Sequence, residues 1–128
     1  MEYKSKLKKI IKNSYSPYYK FKVACLLETK DGNFFEGVNV ENAVGSNICA
    51  ERTAIVSAIT KGYKKGDFKR IYVFANGNRT IYPCFICRQT FLEFFNMDEE
   101  LILINDIEEK RMTIGDIIVY PFSSKEIT

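Results

Sequence analysis

Three cysteines and one glutamate have the residue types and the spacing of a metal site beside a proton-transfer group. Cys84 and Cys87 are three residues apart, so on a helix they share one face and can hold one ion. Cys49 begins a second predicted helix, and the partial positive charge at both helix starts stabilises thiolates. Three thiolates that converge from two helix starts predict a zinc site whose fourth coordination position is open.

Glu51, two residues beyond Cys49, is the candidate proton-transfer group. Residues two apart on a helix point away from each other, so Glu51 is better placed to face a substrate than to bind the metal. A carboxylate there can take a proton from water and return it as a general acid. Arg52 and Arg88 adjoin these residues, and either can donate a hydrogen bond to a metal-binding sulfur. The structural alternatives are an exposed first-turn glutamate and two surface arginine ion pairs.

The other cysteine and the absence of histidine narrow the chemistry. The chain has no histidine, which excludes Ser-His-Asp and Cys-His catalysis. Cys25 falls in the middle of a predicted strand, where a small buried residue is its expected role. If Cys25 bound the metal as a fourth ligand, the site would be closed and structural, and the chain would be a non-enzymatic zinc-binding protein.

Hydrophobic periodicity indicates the elements that must position these residues. Apolar residues at helical spacing predict a first helix from Tyr3 that ends at Ser16-Pro17. Alternation predicts a strand over Phe21 to Glu28, with Phe21, Val23, Cys25 and Leu27 on one face. The remaining predicted elements are a turn at Asp31-Gly32, strands at Phe34 to Val38, Ile71 to Ala75 and Leu101 to Ile104, and helices from Cys49 to Lys61 and from Pro83 through Phe95. Ile117 to Val119 is consistent with a strand or a helix.

The order of these elements predicts an α/β fold, a three-layer α/β/α sandwich with a mixed sheet, as one domain over residues 1–128. No apolar run approaches the ~20 residues of a membrane span, and the N-terminus lacks the apolar core of a signal peptide. We therefore expect a cytoplasmic protein with reduced cysteines. The net charge of +3 does not indicate nucleic-acid binding, although seven lysines in the first 22 residues could meet an acidic partner such as a second subunit.

Longer segments identify a family resemblance. C-A-E at Cys49 to Glu51 and P-C-F-I-C at Pro83 to Cys87 match the zinc deaminase signature. The chain resembles the small homotetrameric cytidine deaminases in further segments: NVENA (39–43), ICAERTA (48–54), PCFICRQ (83–89), SPYYKFKVAC (16–25, compared with SPYSxFxVGAA) and the C-terminal PFSS (121–124).

The resemblance implies a fold and a reaction. It implies a five-stranded mixed sheet and hydrolytic deamination of cytidine and deoxycytidine to uridine and deoxyuridine, with ammonia release, in pyrimidine salvage. By the same resemblance Cys49, Cys84 and Cys87 hold one zinc ion per subunit, zinc-bound hydroxide attacks carbon four, and Glu51 moves the protons.

The resemblance also implies the substrate contacts. Asn39 and Glu41 match a ribose-binding pair, which would exclude a nucleic-acid polymer by binding a free 3′-hydroxyl. Phe21 matches an aromatic against the base, and Ala50 belongs to the same substrate-binding set. Phe122 matches a tail aromatic that reaches a neighbouring subunit's active site in the homotetramer.

Two departures from the family pattern bear on substrate range. The stretch Val44 to Ile48 is one residue short and lacks the usual tyrosine, which in the family helps to contact the 5′-hydroxyl end of the sugar. Phe85 replaces a glycine between the paired cysteines, so its side chain must turn aside or fill space. These departures motivate one alternative function: a related zinc deaminase that acts on a modified pyrimidine or a nucleoside antibiotic.

Overall fold

The computed structural model describes residues 2–128 and contains one mixed five-stranded sheet. The strands lie in the order β2-β1-β3-β4-β5, with β3 and β4 parallel and the other neighbours antiparallel. The strands are β1 (Val23–Thr29), β2 (Phe34–Val38), β3 (Phe68–Ala75), β4 (Glu100–Ile104) and β5 (Glu109–Thr113). The helices are α1 (Glu2–Ile10), α2 (Ala50–Thr60) and α3 (Phe85–Phe94).

Both faces of the sheet are buried, which confirms the predicted three layers. Alternate residues of β1 divide between the two faces: Val23 and Cys25 pack with α2 and α3, whereas Ala24 and Leu26 pack with α1. Because both rows are apolar, β1 is a central strand covered on each side. The amphipathic first helix contributes its predicted face to this packing through Leu7, Ile10 and Ile11.

Several element boundaries differ from the sequence predictions. The first helix ends at Ile10 and continues only as a 3-10 turn to Asn13. β1 begins at Val23, so Phe21 precedes the strand and is half exposed rather than part of its buried row. Ile117 ends a 3-10 turn, Ile114–Ile117, and Ile118 to Val119 form neither strand nor helix.

Strand β5 was missed because its sequence carries no apolar alternation. It is an edge strand in which Lys110 and Arg111 are exposed, so burial leaves no pattern in its sequence. An ion pair also joins β5 to β4: the Nη1 atom of Arg111 lies 3.5 Å from the Oε2 atom of Glu100. Among residues 2–128, no helix is long and apolar enough to cross a membrane.

Gly37 sets the distance between β2 and the start of α2. A Cβ atom at this position would lie 2.6 Å from the backbone nitrogen of Ala54 and would also clash with the carbonyl oxygen of Ala50. The absence of a side chain therefore allows the first turn of α2 to rest directly on β2. This close approach fixes the position of the helix that carries Cys49 and Glu51.

Candidate active site

The starts of α2 and α3 bring three cysteine sulfurs together. Cys49 and Cys84 each occupy the N-cap position of their helix, in extended backbone conformation, and Cys87 lies in the first turn of α3. The sulfurs of Cys49 and Cys84 are 3.5 Å apart, and all three sulfurs lie within 4.8 Å of one another. The helix starts thus place all three predicted sulfur ligands in one cluster.

The geometry of this cluster fits a zinc ion. Zinc–sulfur bonds of about 2.3 Å in a tetrahedron place neighbouring sulfurs ~3.8 Å apart, close to the observed spacing. Cys25 is fully buried in the sheet and is not part of the cluster that the described residues form. Three sulfurs therefore leave one coordination position open, which is the arrangement of a catalytic rather than a structural zinc site.

The cysteine thiols differ in pKa because their hydrogen bonds and their burial differ. A hydrogen bond with the Cys87 thiol lowers the pKa of Cys49 to about 5. Arg52 also lowers this pKa, whereas partial burial raises it. The same hydrogen bond, together with burial and the charge of Glu51, raises the pKa of Cys87. Burial, reinforced by the charge of Glu51, raises the pKa of Cys25 well above its usual range. Cys49 is thus prepared as a thiolate ligand, whereas Cys25 stays protonated.

Glu51 is buried beside the sulfur cluster rather than exposed on the helix surface. Only 5% of its surface is exposed, so the structural alternative of a solvated first-turn glutamate is wrong. Burial raises the pKa of Glu51 to about 7, and the negative charge of Cys49 contributes to this shift. A bound dication would oppose the shift, because positive charge favours the carboxylate. Near neutral pH such a group can both accept and return a proton.

The two arginines have different partners. The Nη2 atom of Arg52 donates to the Cys49 sulfur at 3.8 Å and to the Asn47 carbonyl oxygen at 3.0 Å. Arg88 instead contacts backbone oxygens: its Nε donates to the Pro83 carbonyl oxygen at 2.8 Å, and its Nη1 donates to the Ile117 carbonyl oxygen at 3.3 Å. Arg52 therefore faces a metal-binding sulfur, whereas Arg88 braces the backbone that leads into α3.

A cavity of about 270 Å³ opens onto the sulfur cluster. Its wall includes Cys49, Glu51 and Cys84 at one end, and four of the proposed substrate-binding residues: Phe21, Asn39, Glu41 and Ala50. The volume lies just below the ~300–1,000 Å³ typical of small-molecule sites, so the cavity suits a ligand no larger than a nucleoside.

Asn39 and Glu41 also fix the chain segment that precedes β1. The Asn39 amide donates to the Phe21 carbonyl oxygen at 2.7 Å and accepts from the Val23 backbone nitrogen at 2.9 Å. The nearly buried Glu41 carboxylate accepts from the backbone nitrogens of Tyr18 and Tyr19, at 2.8 and 3.2 Å. The polar pair thus holds Phe21 and Tyr19 at the cavity. The Asn39 oxygen, which also accepts from the Ser14 hydroxyl, is fully used, whereas the Glu41 carboxylate keeps further acceptor capacity.

Phe85 and Phe122 lie outside this cavity. Phe85 is 79% exposed, and the guanidinium of Arg88 lies 4.5 Å from the centre of its ring. Phe122 is exposed, and its carbonyl oxygen accepts from the Gln89 side chain at 2.7 Å. Within one chain, Phe85 therefore does not fill the site, and Phe122 does not reach its own chain's cavity.

Sequence reasoning missed several cavity residues. Asn47 and Ile48, from the stretch that the sequence connects with substrate range, lie on the wall, and so do Tyr19 and Tyr82, which the sequence did not indicate. Only proximity in sequence could have indicated them: Tyr19 is two residues before Phe21, and Tyr82 precedes Pro83-Cys84. The remaining apolar wall comes from residues whose sequence signal is that of core: Val23, Val73, Ala75, Ile81 and Ile104.

Comparison with known proteins agrees with this geometry. A family model described as the cytidine and deoxycytidylate deaminase zinc-binding region matches residues 1–102, which include the three clustered cysteines and Glu51. The cytidine deaminase of Mycoplasma genitalium is 39% identical over 118 residues, covering 91% of this chain and 89% of that protein. The cytidine deaminase of Sporosarcina psychrophila is 36% identical over 125 residues, covering 94% and 89%.

A solved structure is also similar. The crystal structure of cytidine deaminase from Burkholderia pseudomallei matches with a TM-score of 0.88 at 38% sequence identity, covering 92% of this chain and 94% of that chain.

Proposed function

The chain belongs to the cytidine and deoxycytidylate deaminase family, and we propose that it converts cytidine and deoxycytidine to uridine and deoxyuridine in pyrimidine salvage. Family membership makes it a zinc-dependent hydrolytic deaminase, an enzyme that cleaves the C–N bond of a cyclic amidine. The observation that carries the proposal is the burial of Glu51 in the same cavity as the sulfurs of Cys49 and Cys84.

The site residues divide the work between holding zinc and moving protons. Cys49, Cys84 and Cys87 would hold one zinc ion per chain, and Arg52 offsets part of the charge of the three thiolates. When bound, zinc supplies a Lewis acid that makes water a nucleophile near neutral pH.

Glu51 carries both proton transfers of the reaction. It takes a proton from water as oxygen attacks carbon four of the pyrimidine, and it delivers that proton to the adjacent ring nitrogen. It then carries the remaining hydroxyl proton to the amine. The C–N bond breaks, ammonia leaves, and the oxygen becomes the carbonyl of uridine.

The other end of the cavity orients the nucleoside. Asn39 and Glu41 bind the ribose hydroxyls, Phe21 contacts the base, and Ala50 lies beside the reacting end. A sugar whose hydroxyls are enclosed by the amide and the carboxylate has no room for a 3′-phosphodiester, so a nucleic-acid polymer is not a substrate. Asn47 and Ile48 line the wall, so the shortened stretch contributes to the choice of nucleoside.

The assembly and the location form part of the same proposal. The chain is one domain over residues 1–128 and forms a homotetramer in which Phe122 of one subunit reaches a neighbour's site. Exposed apolar side chains support such contacts: Ile86, Val119, Tyr120 and Phe122. A cytoplasmic location keeps the cysteines reduced, as metal binding requires.

Replacement of Glu51 by glutamine tests the assignment of proton transfer. Glu51→Gln preserves volume and leaves the sulfurs in place, so zinc content should stay at one ion per chain. The rate of cytidine deamination should fall by at least ~10²–10⁴-fold, because general acid–base catalysis is lost. Glu93→Gln is the matched control, since Glu93 is exposed on α3. Loss of zinc in Glu51→Gln would instead make Glu51 a support of the metal site, and an unchanged rate would remove it from the reaction.

A further inference from the structure

The outer part of the cavity has an aromatic side chain that the reaction above does not use. Tyr19 lines the cavity, and 75% of its surface is exposed. Its backbone nitrogen donates to the Glu41 carboxylate, but within residues 2–128 no hydrogen bond joins its phenolic oxygen to a protein partner. Among residues 2–128, this residue of the cavity wall therefore has a phenolic oxygen that is still available to donate and to accept.

The backbone that carries Tyr19 is held firmly. The Glu41 carboxylate accepts from Tyr18 and Tyr19, and the backbone nitrogen of Lys20 donates to the Ser16 carbonyl oxygen at 3.1 Å. Lys20 has a φ of +61°, a left-handed conformation that a lysine rarely adopts and that the neighbouring hydrogen bonds maintain. A fixed backbone leaves Tyr19 only its side-chain torsions to order, which lowers the entropic cost of a contact with a ligand.

The cavity has a reacting end and a sugar end. Cys49, Glu51 and Cys84 define the reacting end, where the amine of the base must lie. Asn39 and Glu41 define the sugar end, and Tyr19 is tied to Glu41 through its backbone. When the pair binds the secondary hydroxyls of a ribose, the primary hydroxyl at the 5′ position remains to be bound.

We propose that the phenolic oxygen of Tyr19 hydrogen-bonds the 5′-hydroxyl of the nucleoside and so selects substrates with a free 5′-hydroxyl. This assignment rests on the proposed function. Two other tyrosines are worse placed for this contact. Tyr18 is not on the cavity wall, and Tyr82 adjoins Pro83-Cys84 at the reacting end.

The test compares Tyr19→Phe with wild type on cytidine and on 5′-deoxycytidine, which lacks only the 5′-hydroxyl. The loss of one neutral hydrogen bond to the substrate should lower kcat/KM by a factor of about 3–10. Wild type should prefer cytidine by this factor in kcat/KM. Tyr19→Phe should lose the same factor on cytidine and nothing on 5′-deoxycytidine. Tyr18→Phe, the matched control off the cavity wall, should keep the wild-type preference. Tyr82→Phe tests the rival assignment on the wall and should keep the same ratio between the two nucleosides.

Two outcomes would overturn the assignment of Tyr19. Equal losses on both nucleosides would mean that Tyr19 shapes the cavity without reading the 5′-hydroxyl. A selective loss in Tyr82→Phe, with none in Tyr19→Phe, would assign the contact to the other side of the cavity. The proposed function fails separately, since it is refuted only if zinc-loaded wild type does not deaminate cytidine.

Discussion

Gly37 is the residue on which the placement of the active-site helix depends, and Gly37→Ala tests this. A Cβ atom would lie 2.6 Å from the Ala54 backbone nitrogen, whereas ordinary van der Waals contacts begin at 3.4 Å. Because the opposing atoms are backbone, no side chain can rotate to relieve the clash. Strand β2 and helix α2 would therefore have to separate by at least roughly 0.8 Å at this point, since the Ala50 carbonyl oxygen lies closer still.

The expected cost follows from this separation. Overpacking of this kind costs about 1–3 kcal/mol of the free energy of unfolding. For a chain of this size, Tm should fall by roughly 4–12 °C. The shift moves Cys49 and Glu51 with the start of α2, and a misplacement of about 1 Å in a reacting group can cost ~10²-fold in rate. We therefore expect kcat/KM for cytidine to fall by ~10–100-fold in the protein that remains folded.

Thermal unfolding of the zinc-loaded protein and initial rates of cytidine deamination, measured at a temperature well below both Tm values, separate the two effects. Gly115→Ala is a graded control. Its Cβ would lie 3.1 Å from the Met97 carbonyl oxygen, a milder clash away from the cavity wall. It should lower Tm less and leave kcat/KM near wild type. A Tm within 2 °C of wild type together with full activity in Gly37→Ala would refute the argument from close approach.

Three further predictions concern the cysteines and the tail. Cys25→Ala should retain one zinc per chain by metal analysis and should cost about 1 kcal/mol of stability for the lost sulfur; loss of zinc would support a closed, structural site. In zinc-stripped protein at pH 6, iodoacetamide should label Cys49 before Cys25, because Cys49, with a pKa of about 5, is already a thiolate, whereas burial keeps Cys25 protonated; mass mapping that finds Cys25 labelled first would contradict this. Phe122→Ala should reduce kcat/KM or dissociate the oligomer in light scattering, and unchanged kinetics with unchanged mass would remove Phe122 from the site.

The central elements could be predicted because their burial leaves a pattern in the sequence. The helix predicted from Cys49 to Lys61 and the strand predicted from Leu101 to Ile104 agree with α2 and β4 to within one residue at each end. The sulfur cluster could also be predicted from the sequence. Two cysteines three residues apart share one face of a helix, and a third cysteine at the start of another helix has a defined position. Strand β5 could not be predicted in this way, because an exposed, charged edge strand shows no periodic pattern of apolar residues.

The finer features of the site depend on contacts between segments far apart in sequence. Nothing near Glu41 indicates that its carboxylate holds the backbone of Tyr18 and Tyr19. Adjacency to Cys87 suggested a sulfur contact for Arg88, yet the fold turns this side chain toward Pro83 and Ile117. Such partners are decided by tertiary packing, which sequence spacing does not encode.

The most direct test of the central claim is the conversion of cytidine by zinc-loaded protein. Uridine and ammonia should form in equal amounts, activity should disappear when a chelator removes the one zinc per chain, and it should return when zinc is restored. If the protein binds one zinc per chain but forms no uridine from cytidine and no deoxyuridine from deoxycytidine, the assignment of this site to nucleoside deamination is contradicted.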